Sequence, residues 1–171
     1  IRESDLRDRV TISHAWCLAN LPDNRYQPIA EAFQELGIGI ITHVPGHVPF
    51  PSLKQARRWQ VRYGVGTDNM RNLWGPYDMR ERVMLLAYLS DFRRREDLEL
   101  AYDAGTYGSA SVLGLPDYGL SEGCWADMVV FPVENRACAL LEGPMPRFVI
   151  KRGVLVARDG ELTDAVPPCP E

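Results

Sequence analysis

Three short apolar runs alternate with two helical patterns over the first 68 residues, and this alternation leaves few folds open. Arg9 to His14 (Arg-Val-Thr-Ile-Ser-His) reads as a β-branched strand. Asn20 to Asn24 is loop chemistry. Gln27 to Leu36 then reads as a helix, with Pro28 in its first turn, Ile29, Phe33 and Leu36 on one face, and Gly37 as its stop. Ile38 to Thr42 is almost continuously apolar, the pattern of a strand covered on both faces. Val44 to Pro51 holds Pro45, Gly46, Pro49 and Pro51, which excludes regular structure. Ser52 is placed to cap a helix that runs to about Trp59. Val61 to Thr67 is the third strand. Strand, helix, strand, helix, strand at this spacing means right-handed crossovers and a parallel sheet.

Each of the three strands leads into a residue able to bind a metal or move a proton. The first ends in His14, the second in His43, and the third in Asp68, where Gly66 lets the backbone turn closely. In a parallel sheet these ends share one mouth, the edge at which chemistry sits. Two imidazoles and a carboxylate there could hold a metal or polarise a carbonyl. Taken singly, each residue also has a plainer reading. A strand-end histidine serves as a structural hydrogen-bonding group, and Asp68 fits an Asx-type turn. The loop beyond Asp68 carries Asn69, Arg71 and Trp74. Trp74, six residues past the carboxylate, is placed to close over a flat ring, whereas Trp16, Trp59 and Trp125 read as core.

Tyr77 to Phe92 reads as a long helix with a broad apolar surface through Met79, Val83, Leu85, Leu86, Leu89 and Phe92. Arg93 to Asp97 is a solvated break, and Leu98 to Ala104 and Gly108 to Leu113 are two further short helices. After Gly114-Leu115-Pro116 the character changes to turns and strands. Ala126 to Phe131 is a strand, and Arg147 to Ala157 is a hairpin over Arg152-Gly153. Two domains are expected, an α/β part over 1–115 and β strands with a tail over 116–171. Three strands do not close a (β/α)₈ barrel, which takes about 250 residues, so the opening strands of any such barrel are expected upstream of Ile1. Ile1 itself, followed by a charged Arg2 to Arg9 that is no signal peptide, reads as a cut point in a longer chain.

Composition narrows the partners. The 171 residues are 46% hydrophobic and 25% charged with a net charge of −4, so nothing argues electrostatically for nucleic acid or an anionic membrane. No apolar run reaches the ~20 residues of a membrane span. The four cysteines have no C-x-x-C spacing and read as free thiols of a cytoplasmic protein. No G-x-S-x-G elbow, P-loop or G-x-G-x-x-G is present, and neither is the H-x-E with P-C-x-x-C of the small zinc deaminases.

Val10-Thr11-Ile12-Ser13-His14, then Gly66-Thr67-Asp68-Asn69 with Arg71 and Trp74, then Ala126-Asp127-Met128-Val129-Val130-Phe131 together resemble the C-terminal half of the amidohydrolase superfamily. The resemblance is to its cytosine deaminase and N-isopropylammelide amidohydrolase-like branch. It implies strands six to eight of a (β/α)₈ TIM barrel followed by strands of a small β-sandwich. It further implies one divalent metal (zinc or iron, with manganese as a third option) bound by Asp68, with Asp68 and His14 catalytic. Asn69, Trp74 and His43 then become substrate-binding positions, and the substrate a pyrimidine- or triazine-type heterocycle. The family's H-x-H and H-x-x-E ligands are absent from these 171 residues and are expected in an upstream half of the same barrel, so the segment alone is expected to be inactive. Asn69 stands where cytosine deaminases carry a second aspartate, which points toward ammelide- and isocytosine-like rings. The implied activity is a C–N hydrolase, by metal-activated attack on an amidine carbon. A related enzyme cleaving a cyclic amide or N-alkyl group, and a non-catalytic scaffold, are the alternatives. Homo-oligomers are compatible with the family.

Overall fold

The computed structural model describes residues 3–46, 48–68 and 77–166. The first strand-helix alternation is β1 (Thr11–Ser13), α1 (Asp23–Leu36), β2 (Gly39–Thr42), α2 (Leu53–Arg58) and β3 (Arg62–Val65). The three strands form one parallel sheet in the order β1-β2-β3, with Thr11 beside Gly39, Gly39 beside Arg62 and Thr42 beside Val65. This is the topology that the alternation predicts. β2 sits in the middle, and its Ile40 is fully buried, worth roughly 1.5–3 kcal/mol relative to exposure.

The helices end in a way that sets the strands. At α1, Gly37 takes φ 63, its N–H bonds the Gln34 carbonyl, and the Ile38 N–H bonds the Phe33 carbonyl. This double bond to the last turn closes the helix and delivers Ile38 into β2. The same pairing recurs after α2, where the N–H groups of Gln60 (φ 51) and Val61 bond Arg57 and Ala56 and lead into β3. α1 starts at Asp23 and not at Gln27, so Pro28 lies in the second turn rather than the first. Local contacts account for the early start: the Pro22 carbonyl accepts from Arg25 and Tyr26, and Asp23 and the Leu21 carbonyl accept from Gln55 Nε2.

Beyond β3 come α3 (Met79–Leu89), α4 (Arg95–Asp103), a π turn over Ala104–Gly108, and α5 (Ser109–Val112). α3 is shorter than the sequence suggests, because Asp78 caps its start and Asp91 (φ 52) closes its end. The two short helices expected near Leu98 and Gly108 are instead one continuous run interrupted by the π turn. That run lies on the sheet at van der Waals limits. A Cβ on Gly108 would come 2.3 Å from the Tyr63 carbonyl oxygen, and one on Gly64 would come 2.8 Å from Ser109 Cα. The Ser109 hydroxyl accepts from Val65 N–H at 3.1 Å and lies 2.8 Å from the Val65 carbonyl. It satisfies a stretch of β3 backbone that a further strand would otherwise have to serve.

The chain separates into two compact units, Ile1–Leu115 and Pro116–Glu171. In the second unit β4 (Met128–Val130), β5 (Phe148–Lys151), β6 (Val154–Arg158) and β7 (Glu161–Leu162) form one antiparallel sheet in sequence order. The β5–β6 hairpin turns on Arg152 (φ 49) and Gly153 (φ 79), the two left-handed residues that a type I′ turn requires. Asp127 fixes that turn: its carboxylate accepts from Lys151 Nζ and, at 2.6 Å, from the Arg152 N–H. These bonds, led by that of Lys151, hold its pKa below the usual carboxylate range. An unanticipated helix, α6 (Arg136–Leu141), follows β4 and is capped by Asn135, which accepts from Cys138 N–H. No helix among the described residues is long and apolar enough to cross a membrane.

Candidate functional site

The carboxyl ends of β1, β2 and β3 meet at one place. His14 directly follows β1, and its N–H bonds the Ile41 carbonyl at 2.8 Å, which sets it beside the last residues of β2. His43 directly follows β2 and is buried. β3 stops at Val65, earlier than the sequence suggests, and Gly66 and Thr67 carry the chain on to Asp68. The Gly66 N–H still bonds the Thr42 carbonyl, so the ladder reaches the mouth of the site.

The geometry brings the three side chains together. Nδ1 of His43 lies 3.1 Å from Nδ1 of His14 and 3.8 Å from Oδ2 of Asp68. One ligand atom from each residue falls within 4.8 Å of the other two. Four ligands at the ~2.0–2.1 Å bond lengths of zinc sit about 3.4 Å apart. The 3.1 and 3.8 Å separations straddle that value, while the three residues together close only to within 4.8 Å, wider than a tetrahedral site. Two imidazoles and one carboxylate are also the donors that zinc, iron and manganese accept. Without an ion, one histidine Nδ1 donates and the other accepts.

The backbone at this mouth is unusual. His14 (φ 64), Ala15 (φ 50) and Asp68 (φ 65) are all left-handed without being glycine. Aspartate and histidine tolerate this region better than most residues, but each such position still costs about 1 kcal/mol or more, and such strain gathers at functional sites. Asp68 thus makes its own turn. Gly66, expected to supply the freedom, is absent from the left-handed positions, and a Cβ added there would lie 3.8 Å from Ile41.

Two neighbours escape a reading by residue type. Trp16, assigned to the core by default, is 40% exposed. Its indole lies 4.9 Å from the His14 ring and 5.7 Å from the His43 ring. Its place two residues past a strand-end histidine was the available signal. Arg82 of α3 is buried, and its Nη1 donates to the Val44 carbonyl at 3.3 Å, holding the segment that leaves His43. An arginine beside Val83 in an apolar helix was the signal there. Trp125, also expected in the core, is 54% exposed and lies under the Arg152 guanidinium at 4.9 Å. Trp59, also expected in the core, is only half-buried. Asn69, Trp74 and His47 lie outside the described residues. Cys17, Cys124 and Cys138 are free thiols.

In fold, the chain matches the C-terminal part of amidohydrolase (β/α)₈-barrel proteins. Comparison with known proteins gives the relatives. N-isopropylammelide isopropyl amidohydrolase of Pseudomonas sp. (strain ADP) is 28% identical over 164 residues, covering 92% of this chain and 40% of the relative. The crystal structure of N-isopropylammelide isopropylaminohydrolase from Burkholderia multivorans ATCC 17616 superposes with a TM-score of 0.86 at 38% identity, over 92% of this chain and 41% of that one. An adenosine deaminase from Xanthomonas campestris with bound zinc shares the fold at a TM-score of 0.72 and 19% identity, over 93% of this chain and 39% of that one. No family model matches the chain. The chain is a homologue of amidohydrolase-superfamily proteins and aligns with their C-terminal part. It spans about two fifths of the length of these relatives.

Proposed function

We propose that this chain carries one side of the active site of a metal-dependent hydrolase that releases ammonia from a pyrimidine- or triazine-type ring. The observation that carries the reading is the convergence of His14, His43 and Asp68 within 4.8 Å at the carboxyl edge of a parallel sheet. The ammelide hydrolases to which the chain is similar support a C–N bond as the target.

Asp68 would bind a divalent ion at this mouth. When bound, such an ion supplies a water acidic enough to be deprotonated near neutral pH. Asp68 would take a proton from the attacking water, and that proton would reach the leaving nitrogen through the glutamate of an H-x-x-E outside these 171 residues. A C–O bond forms at the ring carbon, the C–N bond breaks, and the nitrogen leaves as ammonia. With Nδ1 turned to His43, His14 keeps Nε2 to hydrogen-bond the ring and steady the water. His43 orients His14 and bounds the substrate space, while Asn69 and Trp74 are assigned to the ring's edge and face. The same reading assigns the remaining ligands to barrel strands outside these 171 residues, because neither H-x-H nor H-x-x-E occurs among them. The 171 residues alone are therefore expected to be inactive.

A second reading, release of an alkylamine from an N-alkylated ring, is favoured by the name of the isopropyl amidohydrolase relative. Assaying the natural full-length protein against cytosine, isocytosine, ammelide and N-alkylammelides, with ammonia and alkylamine measured separately, tests both. Ammonia from an unalkylated ring supports the first reading, and alkylamine alone supports the second. Neither product from any ring would contradict both.

A further inference from the structure

We propose that Trp16 is a stacking face for the planar substrate ring at the His14, His43 and Asp68 mouth, so that it governs substrate binding and ring selectivity. The inference rests on the hydrolase reading above.

Trp16 sits against both imidazole rings of the mouth. The His14 ring lies 4.9 Å away at 45° and the His43 ring 5.7 Å away at 57°, and 40% of the residue remains open. An indole gains most from burial. The chain instead goes to some trouble to present it. His14 and Ala15 are consecutive left-handed residues, and Ala15 has neither the freedom of glycine nor a side chain that favours that region. Their turn folds the next three residues, Trp16–Leu18, into a 3₁₀ turn. Leu18 is buried and anchors this turn, with its N–H on the Ala15 carbonyl at 2.9 Å. The anchored turn leaves Trp16 beside the imidazoles with part of its surface uncovered.

That position suits a flat heterocycle. Stacking uses the ring face and leaves the polar edge of the heterocycle free for hydrogen bonds. An indole carries no charge, so it would hold a planar ring beside the candidate ligands without competing for an ion.

The test uses the natural full-length protein with Trp16→Ala and Trp16→Phe. The readouts are kcat and KM on cytosine and ammelide, Kd for uracil as a non-reacting flat ring, and bound metal by elemental analysis. Trp16→Ala is expected to raise KM and the uracil Kd about tenfold. Its kcat and metal content should stay within about twofold of the parent. Trp16→Phe, which keeps an aromatic face, should recover most of the binding and also reports on folding. Unchanged KM and Kd in Trp16→Ala overturn the proposal. A fall in kcat at constant KM also overturns it, by making Trp16 a prop for His14. If the parent turns over rings and Trp16→Ala matches it, the hydrolase reading stands and this inference fails. If the parent binds uracil through Trp16 but hydrolyses no ring, the stacking face stands and the hydrolase reading fails. A parent that neither binds nor hydrolyses any of these rings overturns both.

Discussion

Nδ1 of His14 and Nδ1 of His43 lie 3.1 Å apart, although 29 residues separate them in the chain. Parallel pairing of β1 and β2 produces that meeting, because it sets the two strand ends side by side. The pair works as a unit, since the state of one ring nitrogen dictates that of the other. Replacing His43 by alanine in the full-length protein is expected to lower kcat/KM on its ring substrate by about 10- to 100-fold, the range seen when the partner that orients a site histidine is lost. His43→Asn, which keeps a donor and an acceptor, should lose less. Steady-state kinetics check this, and unchanged kcat/KM in His43→Ala would count against it.

Tyr26 and Tyr63 make the high-pH edge of stability. Burial pushes the Tyr26 hydroxyl up to about 12, and burial, with Tyr26 adding to it, pushes Tyr63 up as well. Both folded pKa values exceed the unfolded one. Their contribution is therefore complete below about pH 10, the value in the unfolded chain. It is lost as pH rises from 10 through the folded value of about 12 for Tyr26. The two differ in wiring. Tyr63 donates to the Pro51 carbonyl at 2.8 Å, whereas the buried Tyr26 hydroxyl has no hydrogen-bond partner among the described residues. Tyr26→Phe is thus expected to leave stability at pH 7 unchanged or raise it by up to about 1–2 kcal/mol, and to flatten the loss above pH 10. Tyr63→Phe should destabilise by about 1 kcal/mol. Denaturant midpoints at pH 7 and 10.5 separate these outcomes.

Gly108 sets two effects against each other. Alanine in a helical turn gains up to about 1 kcal/mol of propensity over glycine. Here its Cβ would lie 2.3 Å from the Tyr63 carbonyl oxygen, a backbone atom that cannot swing aside. The clash should win, and Gly108→Ala should destabilise by about 1–3 kcal/mol, the usual cost of overpacking. A thermal melt measures it; a variant as stable as the parent would mean that the π turn is free to shift off β3.

Asp127 makes a smaller, opposite-edged contribution. Its folded pKa lies below that of an unfolded aspartate, so its stabilisation is present above about pH 4 and fades as pH falls through the folded value. Because the group is exposed, the effect is modest. Asp127→Asn should lower the denaturant midpoint at pH 7 slightly and weaken its dependence on pH below 4. An identical acid limb in parent and variant would show that the Lys151 and Arg152 contacts contribute nothing to stability.

Much of the sheet was legible in advance because its signals are local. β-branched and apolar runs separated by helical periods leave little choice but parallel strands, and Gly37 and Gly153 mark their turns by residue type. The meeting of His14, His43 and Asp68 was also readable, because it follows from topology alone. What escaped depends on tertiary detail. Gln60 and Asp91 end helices in the left-handed region where glycine would have signalled it. α6 spans six residues, too short to show a period. The outward placement of Trp16 and Trp125 comes from the strained turn at Ala15 and from Arg152, neither of which residue type discloses. Asn69 and Trp74, legible as candidates, lie outside the described residues.

Asp68 is the one metal ligand assigned among the three converging side chains. The most direct measurement is elemental metal analysis of the natural full-length protein beside its Asp68→Ala variant, with circular dichroism to establish that both are folded. The account predicts one tightly held divalent ion per chain in the parent and at least about a tenfold loss of affinity in the variant. Equal metal occupancy in two folded proteins would contradict it.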